Sequence, residues 1–384
     1  MKKIIVVLLI FLLICLPKNI VFAEDKPNID NALEEVISGI DEKDFTEITE
    51  LLNIKFNENL SFKDWVILFI SGEFSLTLKD LSKLLSSLYN DVITSVSTIV
   101  VYIIFIGIFY SIINIINSKN NGKSAKYIIY YICYAVVITL SSGLVFKVFD
   151  TAKNSITNMS KVVDGCFPIV LSLNEFLGGF GVNIIKPLTG VASFFTSVLT
   201  INLFLPLLSS SIVCVVVGNL SETIKLDSLK KTILSFIKWV LGIITVVFTV
   251  VIAGQSVVNS QYSGISFKVL KYATGSMIPI VGGFISGGLD VLLSSAILVK
   301  NSVGLILVIY VFLNVLSAGV TVLIVSFILK FAVSVAEPIL DGRFCKLLNG
   351  IGEVLSYLTA VIFICGFSYI LVCFSLISTT TLII

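Results

Sequence analysis

Asp290 and Lys300 are the side chains of this 384-residue sequence best placed to do chemistry in an apolar setting. Both lie in the run KVLKYATGSMIPIVGGFISGGLDVLLSSAILVKNSVG, Lys268 to Gly304. A charge at membrane depth costs roughly 2.5 to 3.5 kcal/mol on insertion scales, so Asp290 is expected to face protein, water or a partner and not lipid. The two groups stand about 15 Å apart along a helix, too far for one intrahelical ion pair. Lys300 reads as an anchor that snorkels to the interface, and Asp290 as either a structural hydrogen-bonding group or a functional one.

The same run carries small and helix-breaking residues. Lys271, Gly275, Pro279, Gly282, Gly283, Gly287 and Asn301 join Asp290 and Lys300 as candidate gate or packing residues. Gly283 and Gly287 are four apart, and Asp290, Val291 and Ser294 extend that helical face. Small residues at this spacing let two helix backbones approach closely where no hydrophobic force separates helix from lipid. The face therefore serves either tight packing inside a bundle or the packed wall of a translocation path.

Several kinds of chemistry lack their residues. The sequence has no histidine, which removes the usual base near neutral pH and the usual metal ligand. A Ser-His-Asp arrangement is thereby excluded. The GGLD at Gly287 to Asp290 only loosely resembles the glycine-aspartate motif of intramembrane aspartyl proteases, and no second aspartate falls in an expected span. No GxxxxGK[ST] loop is present, so ATP-driven work must come from another chain. The seven cysteines show no ligand spacing, and most sit in apolar runs as small buried hydrophobes. Basic residues are scattered over short loops without aromatic interleaving, so nucleic-acid binding has no footprint. The expectation is a non-enzymatic protein with no cofactor and no metal.

The elements that position these residues belong to a membrane. Apolar residues make up 57% of the chain and charged residues 13%, with a mean hydropathy of +1.06, which points to a polytopic helical protein in membrane lipid. Residues 1–23 read as a signal peptide, with Lys2 and Lys3 before an apolar run and Val21-Phe22-Ala23 at the cleavage site. An uncleaved anchor is its rival; Ile14 before Cys15 disfavours a lipoprotein. Residues 24–91 are rich in acids and read as an exported segment of short amphipathic helices. There Phe62, Trp65, Val66 and Phe69 form a stripe that either packs among these helices or lies on a membrane or partner.

About seven transmembrane helices follow, near 92–116, 127–146, 188–217, 239–258, 277–299, 303–329 and 354–378. Lys119, Lys123 and Lys126 place the first connection in the cytoplasm, as do the lysines of 218–238. Residues 147–186 are expected outside, with a broken, re-entrant or interfacial piece from Asp164 to Asn183. Pro206 supplies a cause for a kink in the long third span. A tight Lys300-Asn301-Ser302 turn is expected between the fifth and sixth spans. Lys268 and Lys271 then fall outside, against the positive-inside rule, and a re-entrant 277–299 is the alternative. No internal repeat is evident, so an inverted-repeat transporter has no positive support.

Beside these features the chain resembles a known family. Lys271-Tyr-Ala-Thr-Gly275, Pro279-Ile-Val-Gly282, Asp290 and Leu298-Val-Lys300-Asn301-Ser-Val-Gly304 are similar to the hallmark stretch of the stage III sporulation protein AE family of endospore-forming Firmicutes. Phe167 to Val170, the Lys186-Pro187 pair and the Pro338-centred break support it. The resemblance implies a multi-pass protein of the mother-cell membrane around the forespore. It implies a permease-like or export-gate-like part of a channel, or feeding tube, needed for late forespore gene expression. It also implies partners: the secretion-type ATPase AA, the ring-forming AF, AG and AH proteins of the same stage III sporulation A set, and forespore protein Q, in an oligomer or hetero-complex. It carries over no catalytic or substrate residue. A scaffold that recruits these partners without forming a path, and an ion-coupled secondary transporter using the single carboxylate, are the alternative readings.

Overall fold

The computed structural model describes residues 45–56, 58–74, 78–118, 123–176, 185–220, 226–262 and 282–377; for 78–85, 87–91, 114, 116–118, 123–127, 169–176, 185–189, 251–262, 282–294 and 375–376 it describes the helical backbone alone. All regular structure among them is helical, in agreement with an all-α polytopic membrane protein. Two short helices, α1 (Thr46–Phe56) and α2 (Phe62–Ile70), precede a set of long ones. These are α3 (Leu78–Ser118), α4 (Lys123–Phe176), α5 (Ile185–Leu199) continuing through a π-helical turn (Thr200–Phe204) into α6 (Leu205–Leu220), α7 (Asp227–Tyr262), α8 (Gly282–Ala336) and α9 (Gly342–Ile377). Among the described residues six stretches are long and apolar enough to cross a membrane: Val92–Ile113, Ile128–Pro168, Gly190–Leu220, Asp227–Val250, Ser295–Ala336 and Gly342–Phe374.

The small N-terminal unit is held by local chemistry. Ser61 caps α2 by accepting from the Asp64 N–H, while the Asp64 carboxylate accepts from the Ser61 N–H, a reciprocal capping box. The carboxylate also accepts from the Ser61 hydroxyl at 2.7 Å, and this bond first, with the one from the Ser61 N–H, holds the Asp64 carboxyl below its ordinary value. Asn53 ties α1 to α2: its amide donates to the Leu60 carbonyl at 2.9 Å and its oxygen accepts from the Trp65 indole N–H at 2.9 Å. Phe62, Trp65, Val66 and Phe69 are all buried, so the stripe packs among these helices.

The long helices divide by what surrounds them. A helix apolar on every side belongs inside a protein or a membrane, and one with a single apolar stripe belongs at a boundary. In α8 every residue from Ile306 to Leu316 is buried, as is every residue of α9 from Leu358 to Gly366. These two helices form an antiparallel hairpin at the centre, with α3 and α4 against α8 and α4 to α7 against α9. On α7, Leu234, Ile237, Leu241, Ile244 and Phe248 face inward, while Phe236, Trp239, Ile243, Val246 and Val250 are exposed on the opposite face. That outward apolar stripe is what a lipid-facing helix carries.

Close backbone approach zips the hairpin. A Cβ added to Gly319 would lie 3.0 Å from Phe363 Cζ, and one added to Gly366 would collide with the Val315 side chain. Packing of this kind replaces the hydrophobic drive that helices lack against lipid.

Two expectations about breaks fail. Residues Lys300 to Ser302 form no turn: α8 runs unbroken from Gly282 to Ala336, so the stretches 277–299 and 303–329 share one helix over their described parts. No glycine or proline stands at 300–302 to stop the helix, and Val299, Val303 and Ile306 continue one buried face through it. Nor is the piece from Asp164 broken over its described part, because α4 continues to Phe176 with Pro168 inside it, while its remainder lies outside the described residues. A buried face at Val148, Ala152, Ser155, Met159 and Val163 holds α4 to the core, while Lys147, Asp150, Lys153 and Lys161 are exposed. The charges mark the exposed face of a continuous helix.

Candidate functional site

The residues singled out in the sequence fall in two groups. Lys271, Gly275 and Pro279 lie outside the described residues. Gly282, Gly283, Gly287 and Asp290 lie in the first turns of α8, where the side chains are not described. Lys300 and Asn301 are placed in full. Lys300 is 0% exposed and its Nζ lies 3.4 Å from the Ile377 carbonyl near the end of α9. It is therefore a buried lysine spanning the open end of the hairpin, not a snorkelling anchor. Beside it Ser295 and Ser302 are buried, and the Asn301 side-chain oxygen is buried without a hydrogen bond.

A second polar set lies at the closed end of the hairpin. Lys330 donates to Ser356 Oγ at 2.6 Å, Ser326 Oγ donates to the Gly352 carbonyl at 2.7 Å, and the Ser326 and Ser356 hydroxyls are 2.8 Å apart. Lys230 at the start of α7 pairs with Glu353 at 2.9 Å. The Arg343 guanidinium lies 4.8 Å from the centre of the Tyr130 ring, whose hydroxyl donates to the Asn219 carbonyl at 2.8 Å. Tyr134 does the same to the Val216 carbonyl at 2.7 Å. These bonds gather α4, α6, α7 and both hairpin helices at the closed end.

The third set was missed in the sequence. Asp164 lies near the C-terminal end of the long apolar stretch Ile128–Pro168, one helical turn before Pro168. Ser160 Oγ donates to Asp164 Oδ2 at 2.8 Å, and Ser197 Oγ of α5 donates to Ser160 Oγ at 2.8 Å. Tyr369 of α9, fully buried, turns its hydroxyl toward Ser160 and Ser197, with Asp164 and Cys365 close by. Ser193 is buried one helical turn before Ser197, and its hydroxyl has no hydrogen bond.

Irregular backbone flanks this cluster on both sides. Pro168 has no N–H to give the Asp164 carbonyl four residues earlier. The π turn at Thr200–Phe204 lies just before Pro206, and single π turns inside α-helices recur at functional sites. The Ser160-x-x-x-Asp164 spacing, one helical turn on a stripe of buried residues, was the signal available in the sequence.

Comparison with known proteins follows this geometry. A family model described as stage III sporulation protein AE matches residues 60–380. The stage III sporulation protein AE of Bacillus subtilis (strain 168) is 24% identical over 243 residues, which cover 63% of this chain and 61% of that relative's own length. No solved structure matches.

Proposed function

The chain belongs to the stage III sporulation protein AE family, and on that premise we propose that it is the permease-like or export-gate-like membrane component of the channel complex linking mother cell and forespore. Its role is in sporulation, as the family indicates. In this reading it is a non-enzymatic, multi-pass protein of the mother-cell membrane around the forespore, with its N-terminal segment on the exported side. Its partners are the AA, AF, AG and AH proteins and forespore protein Q. Late forespore gene expression depends on it.

The observation that carries the reading is the α8/α9 hairpin. It is enclosed by outer helices and sealed at one end by Lys300 and at the other by the Lys330, Ser326 and Ser356 bonds. A movable gate requires an element that the lipid does not hold and that packs in more than one arrangement. The Ser326 and Ser356 hydroxyls, 2.8 Å apart, offer a way to lock it. With Ser326→Cys and Ser356→Cys combined, oxidation during sporulation is expected to cut spore yield and late forespore gene expression at least tenfold. Reduction is expected to restore both, and each single variant to have no effect. Unchanged yield in the cross-linked protein would overturn the gate reading.

A scaffold without a path draws on the N-terminal unit, where Ile54 is 78% exposed. It predicts that Ile54→Asp mislocalises partners while the locked hairpin sporulates normally.

A further inference from the structure

We propose that Asp164, Ser160, Ser197 and Tyr369 form a proton-binding relay inside the helix bundle, with Asp164 as the group that holds the proton. The proposal is independent of the channel reading, since it concerns what one site binds. Donor direction carries it: Ser197 donates to Ser160 and Ser160 donates to the Asp164 carboxylate, so the hydroxyl protons are lined up toward one acceptor. The chain has an inner end as well. Tyr369, 0% exposed, turns its hydroxyl toward Ser160 and Ser197, and Ser193, 1% exposed and one helical turn before Ser197, has a hydroxyl that completes no hydrogen bond. A buried hydroxyl left unpaired is costly unless an ordered water or ion meets it.

Asp164 itself is only half-buried, so the relay runs from a partly exposed carboxylate into the enclosed seam between α5 and α9. No lysine or arginine among the described residues is paired with Asp164. Tyr369 and Cys365 are the titratable groups facing it from α9, the described residues of α5 bring only hydroxyls, and Lys161 on its own helix is exposed. Nothing cationic therefore holds the carboxylate in its ionised form. The Asp164 carbonyl, left without its helical partner by Pro168, adds an acceptor in the same turn.

The step balances without a co-reactant. A proton delivered to the Ser197 oxygen is matched by transfer of the Ser197 proton to Ser160 and of the Ser160 proton to Asp164 Oδ2. Both serines end as neutral hydroxyls and the carboxylate as a carboxylic acid. Ionisable carboxyl groups enclosed in helix bundles of membrane proteins commonly mark proton relays.

Infrared difference spectroscopy of the full chain in lipid nanodiscs, taken between two pH values, tests the assignment. A carboxyl C=O band is expected to appear reversibly as pH falls, to be lost in Asp164→Asn and to change frequency in Asp164→Glu. Ser160→Ala is expected to displace it, because Ser160 donates to that carboxyl, and Ser197→Ala to displace it less. Asp150→Asn, on the exposed face, is expected to leave it in place. The proposal is overturned if Asp164→Asn or Asp164→Glu leaves the spectrum unchanged, or if the band ignores both serine variants. Loss of the band on adding sodium at constant pH would make a metal cation the occupant and overturn it as well. Should Asp164→Asn fail to fold, the frequency change in Asp164→Glu decides.

Discussion

The hairpin and the helices around it are equally apolar, yet they live in different surroundings. Within their apolar windows 72% of α8 and 78% of α9 residues are buried inside the protein, against 22–33% for the four outer spans. In water the more apolar helix goes inside, whereas in lipid the difference vanishes, because lipid tails are as apolar as leucine. What sorts these helices is shape. Gly304, Gly319, Gly352 and Gly366 let the hairpin partners close on each other, while Cβ atoms added at Gly143 and Gly242 of the outer helices would meet nothing.

The largest contrast expected from this is in truncation. Phe363→Ala, removing a ring that is 1% exposed and packed on Gly319, is expected to cost about 3 kcal/mol, the usual range for such a cavity. Phe105→Ala, at a ring 71% exposed, is expected to cost almost nothing. Thermal unfolding of both variants in the same detergent measures the difference; equal losses would break the comparison. Next comes overpacking. Gly366→Val is expected to destabilise by roughly 1–3 kcal/mol, because Val315 already fills the space, and Gly242→Val to be neutral by the same assay.

A smaller effect is expected at the closed end. Lys230→Met breaks the ion pair with Glu353, but Glu353 is 44% exposed and keeps its water, so a loss of about 1 kcal/mol or less is expected, shrinking further with added salt. The smallest lies outside the bundle. Asp64 titrates below its ordinary value in the folded protein because it accepts from Ser61. Its contribution is therefore present above the unfolded value of about 3.9 and lost as pH falls through the lower folded value. Hydrogen exchange in α2 is expected to speed up only below that range, and Ser61→Ala to make exchange faster at neutral pH by abolishing the cap.

The all-helical membrane architecture was legible in the sequence, because runs of about 20 apolar residues have one stable solution in lipid. The helix boundaries were less so, and for one reason in both failures. Lys300, Asn301 and Ser302 read as a turn, and 147–186 as a stretch outside the membrane with a broken piece from Asp164, because polar residues were counted along the chain and not around the helix. Lys300 is polar on a face that the hairpin encloses, and Lys147, Asp150 and Lys153 are polar on a face that nothing covers. Asp164 was lost among those same charges, although the buried stripe Ser155, Met159, Val163 and Cys166 runs beside it at helical spacing. Gly366 was equally hidden, since its role depends on Val315 across the hairpin and not on its neighbours in sequence.

The claim that the hairpin is enclosed while its neighbours face lipid is tested most directly by quenching with brominated lipid. In a background of Trp65→Phe and Trp239→Phe, a single tryptophan is introduced as Phe105→Trp or as Phe363→Trp and the chain is reconstituted in brominated phosphatidylcholine. Strong quenching at position 105 and little at 363 is the predicted result. Equal quenching at the two positions would place α9 in contact with lipid and contradict the account.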